Sequence, residues 1–143
     1  MGLFIVFEGV EGSGKTTQVA RSAAWLRSSQ ARPVVQTREP GGTVLGRKLR
    51  SLLLDVNSSI NSDGNGASDA VEVSAEVSDR AELLLYAADR AHHIEQLIRP
   101  QLAQGAILLC DRFTASTVAY QGYGRGLDLA LIEQLNAIAT ANL

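Results

Sequence analysis

The sequence predicts an α/β fold, a three-layer α/β/α sandwich built on a parallel sheet. Three observations carry this. Short strand-like runs, "LFIVF", "PVVQT" and "AILLC", alternate with longer stretches of helical spacing. The first and third runs are apolar throughout, as in strands covered on both faces. A glycine-rich loop joins the first run to a helical stretch. Strand–helix alternation of this kind implies βαβ crossovers.

The elements follow in order. After "LFIVFEG", Val19, Ala23 and Leu26 recur at steps of four and three, which predicts a helix from Lys15 to about Ser29. A second strand is expected over Pro33 to Thr37, before Pro40, Gly41 and Gly42 break the chain. Leu45, Leu49, Leu52 and Leu53 predict another helix. Residues 57–78 open with "NSSINSDGNGASD". Such a stretch has too little apolar area to offset its ordering entropy, so a polar, disordered insertion is expected. Asp79 and Glu82 form a capping-box pattern. The following helix carries Leu83, Ala87, Ala91, Ile94 and Ile98 on one stripe and is expected to stop at Pro100. The third strand is "AILLC". Ser116 to Gln121 suggests a helical turn, "GYGRG" a loop, and Leu131, Leu135 and Ile138 a helix over Asp128 to Ala139. Only three strands are evident. The chain reaches "ATANL" just after a helix, where a further strand is expected. A single domain over 1–143, incomplete at its C-terminus or completed by another chain, is the expectation.

Composition limits the function classes. Thirteen basic and fifteen acidic side chains leave a formal charge of −2, no footprint for nucleic acid or an anionic membrane. No apolar run approaches a membrane span. The N-terminus lacks the basic and apolar regions of a signal peptide, so the cytoplasm is the default. Cys110, the one cysteine, cannot form an internal disulfide and reads as core. His92 and His93 are adjacent without ligand spacing. Trp25 and the leucine stripes read as packing residues.

"GVEGSGKT", Gly9 to Thr16, fits G-x-x-x-x-G-K-[ST] between a predicted strand and a predicted helix. Phosphate oxygens need donors on several sides at about 3 Å. A loop of backbone amides supplies them if no side chain stands in the way. The predicted ATP-binding residues are therefore Gly9, Val10, Glu11, Gly12, Ser13, Gly14, Lys15, Thr16 and Thr17. Gly12 and Gly14 clear the approach, the helix start adds partial positive charge, and Lys15 reaches the β- and γ-phosphates. The Thr16 hydroxyl is placed to ligate Mg²⁺. "CDR" puts Asp111 and Arg112 at the carboxyl end of the third strand, beside this loop, where open parallel sheets bind ligands. Asp111 is placed to organise Mg²⁺ and Arg112 to bridge phosphates. A strand-end ion pair is the alternative.

"FEGVEGSGKTT", "TREPGGT", "LRSLLLD", "AELLLYAADRAHH", "CDRF" and "STVAYQGYGRG", in this order, resemble bacterial thymidylate kinases along nearly the whole chain except the polar insertion. The resemblance implies a P-loop kinase domain that transfers the ATP γ-phosphoryl group to dTMP, with ATP and Mg²⁺ as cofactors, in a homodimer. It implies that Arg50 grips the dTMP phosphate and that Arg112 contacts the same group. Tyr86, where the family usually has phenylalanine, stacks on thymine, and Arg90 donates to a thymine carbonyl. Gln121, with Thr117 one turn before it, meets the base edge. Tyr120 blocks a 2′-hydroxyl, Glu11 lies near the 3′-hydroxyl, and Glu39 lines the same pocket. Lys15, Arg50, Asp111 and Arg112 form the catalytic set.

The chemistry of the residues supports part of this. Tyr86 and Arg90, four apart on one predicted helix, project from one face, and an aromatic plane beside a guanidinium suits a neutral pyrimidine. Family members without a P-loop arginine usually carry catalytic arginines in a lid. Val10, Glu11, Gly12 and Ser13 include no arginine, so the expected lid lies beyond Leu143. Two alternatives stay open: another nucleoside or nucleotide kinase, and an inactive nucleotide-binding module.

Overall fold

The computed structural model describes residues 1–29, 31–55 and 77–143. Strand β1 (Leu3–Phe7) leads through the glycine loop into α1 (Lys15–Ser29), then β2 (Val34–Arg38) and α2 (Val44–Asp55). Helix α3 (Asp79–His93) continues through a π-helical turn, Ile94–Ile98, into α4 (Arg99–Ala103). Strand β3 (Ile107–Asp111) follows, then α5 (Thr114–Thr117), a second π-helical turn over Val118–Gly124, and α6 (Leu129–Thr140). The polar insertion expected over 57–78 lies almost wholly outside the described residues.

The sheet has the order β1-β3-β2, and both pairings are parallel. The middle strand, β3, is buried along its whole length. Its side chains alternate between two cores. Ile107 and Leu109 pack with Val19 and Ala23 of α1 on one face. Leu108 packs with Ile94, Ile98 and Ala106 on the other. Helices on both faces complete the three layers. Among the described residues no helix is long and apolar enough to cross a membrane.

Several expectations need correction. Strand β1 is only half-buried, with Leu3 exposed, because it pairs with β3 on one side alone among the described strands. Pro100 does not stop the helix. The Arg99 amide bonds to the Ile94 carbonyl, a step of five residues, and this wider turn accommodates a ring that lacks an N–H and clashes with the i−4 carbonyl. Asp79 and Glu82 form no capping box: Ser78 is the N-cap without a side-chain bond, and Glu82 reaches across to Gln121. The "GYGRG" loop is helical up to Gly124. On α6 the buried positions are Ile132 and Ala139; Leu131 and Ile138 are exposed, as are Trp25, Leu45 and Leu52. Helical spacing finds an apolar stripe but not which stripe meets a neighbour.

Leu108→Ala, which empties a fully buried position of the middle strand, is expected to cost about 3 kcal/mol. Urea denaturation at neutral pH measures it; a loss below about 1 kcal/mol would mean that the strand is not the packed centre.

Candidate active site

All three strands end in one row. Phe7 and Arg38 both pair with Asp111, so the segments after the three strands all emerge at one edge of the sheet. After β1 the loop takes Gly12 and Gly14 to φ values of 75° and 83°, a region in which a Cβ is strained. A Cβ on either would meet no protein atom within 4 Å and would stand in the open space before the loop. The amides of Lys15, Thr16 and Thr17 open α1 and lack intrahelical acceptors. Lys15 Nζ lies back over the loop, donating to the Val10 carbonyl at 2.6 Å. The cavity in front measures about 340 Å³. Arg38, Arg50 and Arg112 line it with Lys15, beside the carboxylates of Glu11, Glu39 and Asp111. Of the nine predicted loop residues, Gly9, Val10 and Ser13 stand outside that lining.

Thr16 Oγ1 donates to Asp111 Oδ2 at 2.6 Å. The other oxygen, Oδ1, is buried without a hydrogen-bond partner. A hydroxyl and a carboxylate with a spare oxygen beside a phosphate loop suit Mg²⁺, which binds through one or two carboxylates plus substrate phosphates. Among the described residues no three His, Cys, Asp or Glu side chains gather as a metal cage.

A second cavity, of about 250 Å³, opens beside the first. Every residue expected to bind the acceptor lines it: Glu11, Glu39, Arg50, Tyr86, Arg90, Arg112, Thr117, Tyr120 and Gln121. Burial, and then the nearby Glu82, push the Tyr86 phenol above its usual value against the opposing pull of Arg50, Arg112 and Arg125. It therefore stays neutral near pH 7. Arg112 sits at φ 74°, an uncommon conformation for a side chain with a Cβ. Its guanidinium donates to Ser116 Oγ at 3.1 Å and lies 5.1 Å from the centre of the Tyr120 ring.

Arg90 is almost wholly buried. Its Nε donates to Glu39 Oε2 at 2.9 Å and Nη1 to Asn136 Oδ1 at 2.6 Å. Its Nη2 donates to the Phe113 carbonyl at 3.1 Å and to Thr117 Oγ1 at 3.0 Å. The other Glu39 oxygen lies 2.9 Å from His93 Nδ1, and His93 Nε2 lies 2.7 Å from Thr37 Oγ1. A carboxylate only accepts, so the proton sits on Nδ1.

Sequence reasoning missed several residues here. Arg38 lines the first cavity, and its place at a strand end beside Glu39 was the available signal. His93 and Asn136 hold the Arg90 network; nothing in their spacing pointed to it. Glu8 accepts from the Phe113 amide at 2.8 Å and from Ser116 Oγ at 2.6 Å, tying the segment after β3 to the end of β1. Cys110 is buried in β3, where burial raises its thiol well above the ordinary range.

A phosphate loop between strand and helix, with a carboxylate at the end of the neighbouring strand, defines a P-loop kinase fold. The profile of the Thymidylate kinase family matches residues 7–141. The Thymidylate kinase of Gloeobacter violaceus is 57% identical over 141 residues, covering 99% of this chain and 58% of that protein. That of Trichodesmium erythraeum is 54% identical over 156 residues, covering 100% of this chain and 63% of the relative. The crystal structure of thymidylate kinase from Ehrlichia chaffeensis superposes with a TM-score of 0.79 at 42% identity, over 96% of this chain and 65% of that one. The chain belongs to the thymidylate kinase family. It spans about three-fifths of the length of these curated relatives.

Asp89 provides a test of the buried network. Burial, then the charge of Glu39, push its carboxyl above the usual range; His93, the Gly41 amide and Arg90 oppose this. Neither oxygen has a well-formed hydrogen bond. The folded state thus holds this proton more tightly than the unfolded chain. The group's stabilising contribution is full below its ordinary value of 3.8 and is lost as pH rises through the folded value. Asp89→Asn removes that loss. The variant is expected to gain in Tm over the parent between about pH 4 and pH 7; a constant difference across that range would refute it.

Proposed function

We propose that this chain carries the nucleotide-binding and acceptor-binding parts of a thymidylate kinase, which moves the γ-phosphoryl group of ATP to dTMP to give dTDP and ADP. The observation that carries this is the meeting of the two cavities. Glu11, Glu39, Arg50 and Arg112 line both. Two arginines therefore stand where a donor and an acceptor phosphate would approach each other.

The chemistry asks mainly for alignment and charge compensation. A phosphate oxygen of dTMP bonds to the γ-phosphorus as the bond to the bridging oxygen of ADP breaks. The acceptor oxygen is already anionic, so no strong base is required. Lys15 and the amides of Lys15, Thr16 and Thr17 would hold the ATP phosphates. Arg50 and Arg112 would hold the dTMP phosphate and offset repulsion between the two anions. Thr16 and Asp111 would hold Mg²⁺, which supplies charge neutralisation at the β- and γ-phosphates. Arg112 is held by Ser116 and by the Tyr120 ring, so its fork is orientated before ligand arrives. Tyr86 would stack on the base, and Tyr120 would crowd a 2′-hydroxyl. The proposal includes one domain, a cytoplasmic setting and a homodimer. The last two rest on family membership, while Leu52 of α2 and Leu84 of α3 offer exposed apolar side chains for association.

Calorimetry with MgATP and with dTMP tests the assignment. The parent chain is expected to bind both. Lys15→Ala should weaken MgATP binding by at least about tenfold, the value of a charged hydrogen bond, with little change for dTMP. Equal weakening of both ligands, or of neither, would remove Lys15 from the phosphate site.

A further inference from the structure

What the second cavity can recognise depends on how its polar groups are already committed. Gln121 is buried, and its Nε2 donates to Glu82 Oε1 at 2.6 Å. The other Glu82 oxygen accepts from Arg125 Nη2 at 3.0 Å, and Arg125 Nε lies 3.5 Å from Asp79 Oδ1. A carboxylate offers acceptors and no donor. Gln121 must therefore turn its NH₂ towards Glu82, which leaves its carbonyl oxygen for the cavity. Arg90 is constrained in the same way. Four of its N–H groups go to Glu39, Asn136, the Phe113 carbonyl and Thr117. Only one N–H, on Nη1, has no acceptor among the described residues. Thr117 Oγ1 accepts from Arg90, so its own proton is available to a ligand.

We propose that Glu82 is a positioning residue that fixes the amide orientation of Gln121, and so selects a base whose ring N–H lies beside a carbonyl. This rests on the pyrimidine-monophosphate assignment above. The N3–H of a thymine-type ring donates to Gln121 Oε1, and its carbonyls accept from the spare Arg90 N–H or from Thr117. Cytosine presents an unprotonated N3 at the same place, acceptor against acceptor, which is discrimination by mismatch. Arg125 and Asp79 keep Glu82 from swinging away.

Glu82→Gln keeps the shape but adds a donor, so Gln121 can adopt either orientation. The test is calorimetry with dTMP and dCMP on the parent chain, on Glu82→Gln and on Glu82→Asp. Glu82→Asp keeps the charge beside Arg125 but is one methylene too short for the bond to Gln121. The preference for dTMP over dCMP should fall about tenfold or more in both variants, on the scale of one misdirected hydrogen bond. This ratio does not depend on how much of a preparation is folded. A purely structural role would weaken both ligands together and leave the ratio intact, which overturns the proposal. So does loss of both ligands in variants whose circular dichroism is unchanged, because orientation alone does not abolish binding. A parent chain without preference for dTMP would instead overturn the pyrimidine assignment itself.

Discussion

The site depends on one constraint: three parallel strands end level with one another. Because Phe7, Asp111 and Arg38 share a row, the glycine loop, the Asp111–Arg112 pair and the Arg38–Glu39 pair leave the sheet side by side. Each is followed by backbone that faces the same edge, and the two cavities lie there. Shifting one strand by a single residue would send its side chains to the opposite face. The continuous burial of β3 between two cores resists such a shift. Packing in the sheet therefore sets geometry in the site.

A second layer of organisation is electrostatic. Arg90, Glu39, His93 and Asp89 are all nearly inaccessible to water. Buried charges are costly unless they are paired and fully bonded. Arg90 is paired with Glu39 and makes four bonds in all, drawn from β2's end, α5, the backbone after β3, and α6, with one Nη1 hydrogen left open among the described residues. One guanidinium on the lining of the second cavity thus couples it to elements far apart in sequence. Asp89 lacks comparable partners, and its carboxyl carries the imbalance. Gly46 sits against it: a Cβ there would collide with Asp89 Oδ1 and press on the Gly41 backbone.

Departures from regular backbone gather around the cavities. Arg112 adopts a left-handed conformation directly after β3, and the second π-helical turn carries Tyr120 and Gln121. Widened turns of this kind often mark functional positions. Here the turn brings Gln121 to Glu82 while Tyr120 reaches the Arg112 guanidinium. The first π-helical turn has a different task, carrying a helix past Pro100.

Local sequence determined much about this protein. Short apolar runs, a glycine loop with its lysine and threonine, and Tyr86 and Arg90 one turn apart made the layers, the loop in front of the first cavity and part of the lining of the second legible, because each signal acts over a few neighbouring residues. Tertiary structure alone decided the rest. It chose which stripe of α6 is buried, turned Glu82 from a helix cap into a partner of Gln121, and joined Asn136 to Arg90 and His93 to Glu39. Those choices come from contacts between residues tens of positions apart, whose energies depend on packing and dielectric surroundings that no short window of sequence contains.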